Sequence, residues 1–84
     1  MIMVQPWSDA RVRVTYDGRA DAAYVAFRHI EAGEAVENVV IGRPGKGEII
    51  LDFNQEGTLL GVEIVGALDL APAELLTDAE RLDR

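Results

Sequence analysis

The chain has no cysteine, so neither a disulfide nor a thiolate zinc site can staple it. Its single histidine, His29, has no second histidine with which to share a metal. No apolar run approaches the ~20 residues of a membrane span. No signal peptide is visible either, which leaves the expectation of a soluble cytoplasmic protein without membrane contact. Bases are scarce: eight Lys and Arg stand against fifteen Asp and Glu, a net charge of -7. A field of that sign repels phosphate and argues against direct nucleic-acid binding. Length is short as well. Eighty-four residues make one domain, 1–84, with a thin core, since a chain of this size buries only somewhat over ~60% of its unfolded surface. Self-association is the expected reinforcement.

The charge is unevenly placed. Residues 1–47 hold six acids and six bases, whereas 48–84 hold nine acids against Arg81 and Arg84. The acidic half serves solubility. It would also steer toward a basic partner protein, with Glu74, Asp78 and Glu80 as the candidate contacts.

An apolar arm at 1–10 contains Pro6. Residues 11–65 then show short runs with a period of two, the strand signature. Val12, Val14 and Tyr16 alternate with Arg11, Arg13 and Thr15, and Asp17-Gly18 marks a turn. Ala22 to Arg28 is a second strand, and Ala35 to Ile41 a third. Gly42 to Gly47 reads as a loop by its glycine and proline content. Glu48 to Phe53 and Thr58 to Val65 are the fourth and fifth strands around a turn at Asn54–Gly57. The connections are about four to six residues, too short for parallel crossovers, which need roughly a dozen or more. Sequential strands therefore pair as antiparallel hairpins. At 71–82 the period changes. Pro72 suits a first helical position, and Leu75, Leu76, Ala79 and Leu82 share one helical side. Thr77 with Glu80 fits a capping box that would restart the helix. The expected fold is α+β: a small antiparallel β-meander of four to five strands with one C-terminal helix of about three turns. One helix covers one face, and Val39, Ile41, Ile50, Leu59 and Val65 leave apolar groups on the other. That surplus predicts a homodimer.

Asp52 to Glu63 matches the oxygen-ligand spacing of a calcium loop. Such a loop joins two helices, but here Pro44, nearby glycines and β-branched isoleucines precede it. A hairpin closed at Asn54–Gly57 pairs Leu51 with Leu60 and Ile49 with Val62, as the apolar pattern requires. Asp52 then faces Leu59, and lies roughly 13 Å from Glu63 at ~3.3 Å per residue. Asp17 and Asp21 flank the first turn. Two carboxylates there could do acid–base work or hold a hard cation, whereas aspartate at a turn more commonly accepts backbone N–H bonds. Ser8 with His29 makes no defined triad, and the Gly42–Gly47 loop lacks the phosphate-loop pattern. Trp7 and Tyr24 stand beside arginines, but with this net charge they fit packing better than stacking on a base.

Two stretches together resemble a known family. Tyr16-Asp17, three residues, Asp21, then Tyr24-Val25 is similar to its first signature. Leu51-Asp52, the turn at Gly57, then Gly61-Val62-Glu63-Ile64 is similar to its second. The family is domain-of-unknown-function family 2283, short bacterial and archaeal proteins, and the resemblance runs from Val12 to Ala67. It implies no established activity. It implies, for some members, small partners encoded beside toxin-like proteins. Physically, Asp17 and Gly57 make turns, Gly61 permits a close backbone approach or a bulge, and the tyrosines pack. The leading expectation is a non-enzymatic protein-interaction module, antitoxin-like in form, that binds through its acidic half or an open sheet edge, with no catalytic residue, metal or cofactor. The alternatives are a small-ligand or divalent-metal-binding protein using Asp17, Asp21, Asp52 and Glu63, and a hydrolase of unknown class that would need those carboxylates to converge.

Overall fold

The period-two runs become strands in the computed structural model, which describes residues 12–83. The arm at 1–10 lies outside the described residues. In chain order the elements are β1 (Arg13–Asp17), β2 (Ala22–Ala26), β3 (Glu37–Arg43), β4 (Gly47–Phe53), β5 (Leu59–Val65), α1 (Ala67–Leu70), α2 (Ala73–Asp78) and β6 (Glu80–Arg81). The class is α+β. No helix among the described residues is long and apolar enough to cross a membrane.

The strands form one six-stranded sheet in the order β3-β4-β5-β2-β1-β6. This corrects the expected four- to five-stranded meander. The β1–β2 hairpin and the β3–β4–β5 meander are separate antiparallel units joined through β2 and β5, with Ala23 opposite Ile64 and Val25 opposite Val62. That joint places Ala23 (0% exposed) and Leu60 (1%) mid-sheet. β3 is left at the margin. It begins and ends two residues later than expected, so Gly42 and Arg43 belong to the strand and the turn shrinks to Pro44–Lys46.

The tail also differs. Instead of one helix over 71–82 there are two short ones, separated at Pro72, whose extended ψ of 141° precedes α2. The restart at Thr77 does not occur; its hydroxyl donates back to the Ala73 carbonyl at 3.0 Å, a bond made by threonines inside helices. Ala79 is extended, and β6 follows parallel to β1, with Thr15 opposite Glu80 and Tyr16 opposite Arg81. Tyr16 makes two of the contacts that hold this strand. The Arg81 guanidinium lies 5.1 Å from the Tyr16 ring centroid, a cation–π distance, and Leu82 N–H donates to the Tyr16 carbonyl at 2.9 Å.

The β4–β5 register is a third correction. Leu51 faces Val62 and Ile49 faces Ile64, with an irregularity between Asp52 and Phe53. From Glu48 to Asp52 the slip is two residues, so those side chains keep their faces and the apolar pattern alone cannot detect it, whereas Phe53, beyond the irregularity, stands opposite Leu59. The turn itself is held by the Asn54 side chain, which accepts from Glu56 N–H at 3.0 Å and Thr58 N–H at 2.8 Å.

Among the described residues the helices cover one side of the sheet and nothing covers the other. Tyr16, Ala23, Ala67 and Leu76 form the buried cluster, backed by Ile64, Ala71 and Ala79. Val39 and Ile41, expected on the opposite face, pair with Leu51 and Ile49 on the helix-bearing side, yet remain exposed. The bare side carries Val40, Ile50 and Val65 by the same registers.

Candidate functional site

The bare side of the sheet holds one of the two polar networks that the family signatures contribute. Tyr24 on β2 stands opposite Glu63 on β5. Its hydroxyl reaches across β5 and donates to Asp52 Oδ2 on β4 at 2.8 Å. Spanning a whole strand requires that the strand between present no side chain at the crossing, and Gly61 supplies that gap. A Cβ at Gly61 would lie within 2.7 Å of Tyr24 ring atoms. Asn38 on β3 donates to the other Asp52 oxygen, Oδ1. Four neighbouring strands are thus tied by Tyr24, Gly61, Asp52 and Asn38. The register slip brings Glu63 close to this network: Asp52 faces Gly61 and not Leu59, so Asp52 and Glu63 are diagonal neighbours, ~7–8 Å apart between Cα atoms and not 13 Å.

Both oxygens of Asp52 are occupied by donors, which suits a structural acceptor more than a free base. Burial, then the hydrogen bond to Asp52, pushes the Tyr24 phenol well above its ordinary value of 10.0. Tyr16 is also raised, first by its hydrogen bond to Asp21 and then by burial. A folded-state value above the unfolded one favours the protonated fold. The resulting stabilisation is complete below pH 10.0 and is lost as pH rises beyond it. Tyrosinate absorbance is therefore expected to lag behind that of free tyrosine and to appear together with unfolding, and Tyr24→Phe should shrink the lag. An ordinary midpoint for both phenols would contradict this network.

The other candidate carboxylates stand elsewhere. Asp17 accepts from Arg19 N–H at 3.0 Å, closing the first turn. Asp21 Oδ1 accepts from the Tyr16 hydroxyl at 2.8 Å and from Leu68 N–H at 3.0 Å, so it links that turn to α1. No group of three or more His, Cys, Asp and Glu that could hold a metal ion occurs among the described residues. A cleft of about 800 Å³ on the bare side is lined by Val12, Arg13, Thr15, Tyr24, Arg28 and His29, among others, and by none of Asp17, Asp21, Asp52 or Glu63. Its basic rim is paired: Arg13 with Glu80, Arg28 with Glu34 and His29 with Glu31.

The acidic partner candidates lie at the far end of the sheet from β3. Glu74 and Asp78 are exposed on α2, and Glu80, on β6, bonds Arg13 Nε at 3.0 Å. The sequence identified Tyr24 only as a packing residue and gave no sign of Asn38, whose role depends wholly on the β3–β4 register.

A family model described as a protein of unknown function (DUF2283) matches residues 13–67. That span contains Tyr24, Asn38, Asp52, Gly61 and Glu63, the whole of the bare-side network. No curated protein and no solved structure matches the chain.

Proposed function

The chain belongs to the DUF2283 family, and we propose that it is a non-enzymatic protein-interaction module that accepts a polypeptide partner along the open edge of β3. One observation carries this reading. Among the described residues β3 has a neighbour on one side only, and all seven of its residues are exposed, including Val39 (39%), Val40 (56%) and Ile41 (44%). Unpaired backbone groups flanked by aliphatic side chains form a template for an added strand. β3 contains no proline and no lysine, and its two charged residues, Glu37 and Arg43, stand only at its ends.

The carboxylates support binding over catalysis or ion capture. Asp17, Asp21 and Asp52 are engaged as hydrogen-bond acceptors in two separate places, so they do not converge on a reacting atom. An antitoxin-like role is one form of this reading, in which the partner is a neighbouring gene's product. The charged route through Glu74, Asp78 and Glu80 is the competing surface.

Co-expression with the product of the adjacent open reading frame tests the choice. Val40→Lys is expected to abolish co-elution, because it places a charge amid the aliphatic edge while leaving the buried cluster untouched. Neutralising Glu74, Asp78 and Glu80 together should preserve it. The reverse pattern would transfer the interaction to the acidic end of the sheet.

A further inference from the structure

We infer that, in the free protein, the occupant of the β3 edge is β3 of a second copy, paired antiparallel about a twofold axis at Val40. This rests on β3 being the interaction surface, and it names the partner. The strand is complementary to itself. Its sequence is Glu37, Asn38, Val39, Val40, Ile41, Gly42, Arg43. Turned about Val40, it places Glu37 opposite Arg43 of the second copy, Val39 opposite Ile41, Val40 opposite Val40 and Asn38 opposite Gly42.

Other registers fail on charge or on face. Opposed residues of a continuous antiparallel sheet lie on the same face, so a twofold axis normal to the sheet passes midway between the two copies of a single residue. Centred on Val39, the strand would set Glu37 against Ile41; centred on Ile41, it would set Arg43 against Val39. Only the Val40 register gives two opposite-charge pairs with aliphatic pairs between them. On the helix-bearing side the row across the joint reads acid–base, valine–isoleucine, isoleucine–valine, base–acid.

Electrostatics of the whole chain agree with this axis. Each copy carries a net charge of -7, which opposes dimerisation, but the excess lies in residues 48–84. The sheet order sets β3 at one margin and β6, beside α2 and its acids, toward the other. Joining at β3 keeps the acids of α2 and β6, Glu74, Asp78 and Glu80, far apart in the two copies, while Glu48 and Asp52 on β4 stand one strand from the joint. Beyond roughly a Debye length, ~8 Å at physiological salt, exposed charges are largely screened.

The chain contains no cysteine, so Val40→Cys introduces a single thiol, which the twofold axis would place beside its own symmetry copy. Facing Cβ atoms in an antiparallel pair are ~4.5–5.5 Å apart, close to disulfide range. Mild oxidation of the full-length variant should give a covalent dimer rapidly, whereas Glu56→Cys, at an exposed turn, should not. By sedimentation the wild type should be a dimer and Val40→Lys a folded monomer. Glu37→Arg and Arg43→Glu should each weaken the dimer roughly tenfold, and the double variant E37R/R43E should restore it. A monomeric wild type whose Val40→Lys variant loses the adjacent-frame partner would overturn self-pairing and leave the edge reading standing. A dimer indifferent to Val40→Lys and to the charge swap would overturn self-pairing, and an adjacent-frame partner still held by Val40→Lys would overturn the edge reading itself.

Discussion

Gly66→Ala is expected to remove much of the stability of this domain. Gly66 joins β5 to α1 with φ 83°, and a Cβ there would fall on the Lys46 carbonyl oxygen, with Gly47 Cα at 3.2 Å. Its own N–H donates to the Asp21 carbonyl at 2.9 Å. The residue is wedged between the β3–β4 turn and the β1–β2 turn, where backbone meets backbone and no side chain can swing aside. The left-handed conformation costs an alanine ~1–2 kcal/mol, and overpacking adds about 1–3 kcal/mol. The loss of ~2–5 kcal/mol compares with the ~0.05–0.15 kcal/mol per residue that a native domain holds. At ~4–8 °C per kcal/mol for a domain of this size, the melting midpoint should fall by about 8 °C at the least. Gly57→Ala is the control: its φ is 84°, but no atom lies within 4 Å of its Cβ position, so only the conformational cost applies. Equal losses in the two variants would show that the wedge at Gly66 is not tight.

Asp21→Ala should be the next most damaging change. Asp21 is the one non-glycine residue with positive φ, 50°, among those described. Its side chain receives the Tyr16 hydroxyl and Leu68 N–H, and its carbonyl receives Gly66 N–H and Ala67 N–H. Alanine loses a cap-like acceptor worth ~1 kcal/mol and tolerates the left-handed region less well by about 1 kcal/mol. It also leaves the buried Tyr16 hydroxyl without its acceptor. Chemical denaturation should show a loss of ~2–3 kcal/mol from these combined causes. Asp21→Asn keeps the oxygen and the backbone tolerance and should cost far less. Adding Tyr16→Phe to Asp21→Ala should cost less than the sum of the single losses, because the orphaned hydroxyl disappears. Strict additivity would mean that the Tyr16–Asp21 bond contributes nothing.

The motif residues were all visible in the sequence, but their contacts were not. Asp17 at a turn follows from local chemistry, and the structure has it there. The approach at Gly61 was also legible, as a backbone that must admit something close. What approaches is Tyr24, and that depends on β2 pairing with β5, a pairing of segments far apart in sequence. Asn38 gave no local signal, since it meets Asp52 only through the β3–β4 register. The closeness of Asp52 and Glu63 is not legible in the alternation, because a two-residue slip leaves the in–out pattern unchanged.

Alternation of side chains over Val12–Tyr16, Ala22–Arg28 and Glu48–Val65 determined strands, and the turn residues between them determined hairpins, because period and turn chemistry act over a few residues. Strand order, the parallel return of β6 and the splitting of the helix were decided only by the tertiary fold. Tyr16 draws Arg81 over its ring and Leu82 to its carbonyl, contacts that compete with helix continuation and that no local window contains. The edge left open by this order is likewise a property of the assembled sheet. β3 has a sequence fit for pairing on both sides, and the described residues supply a neighbour for only one.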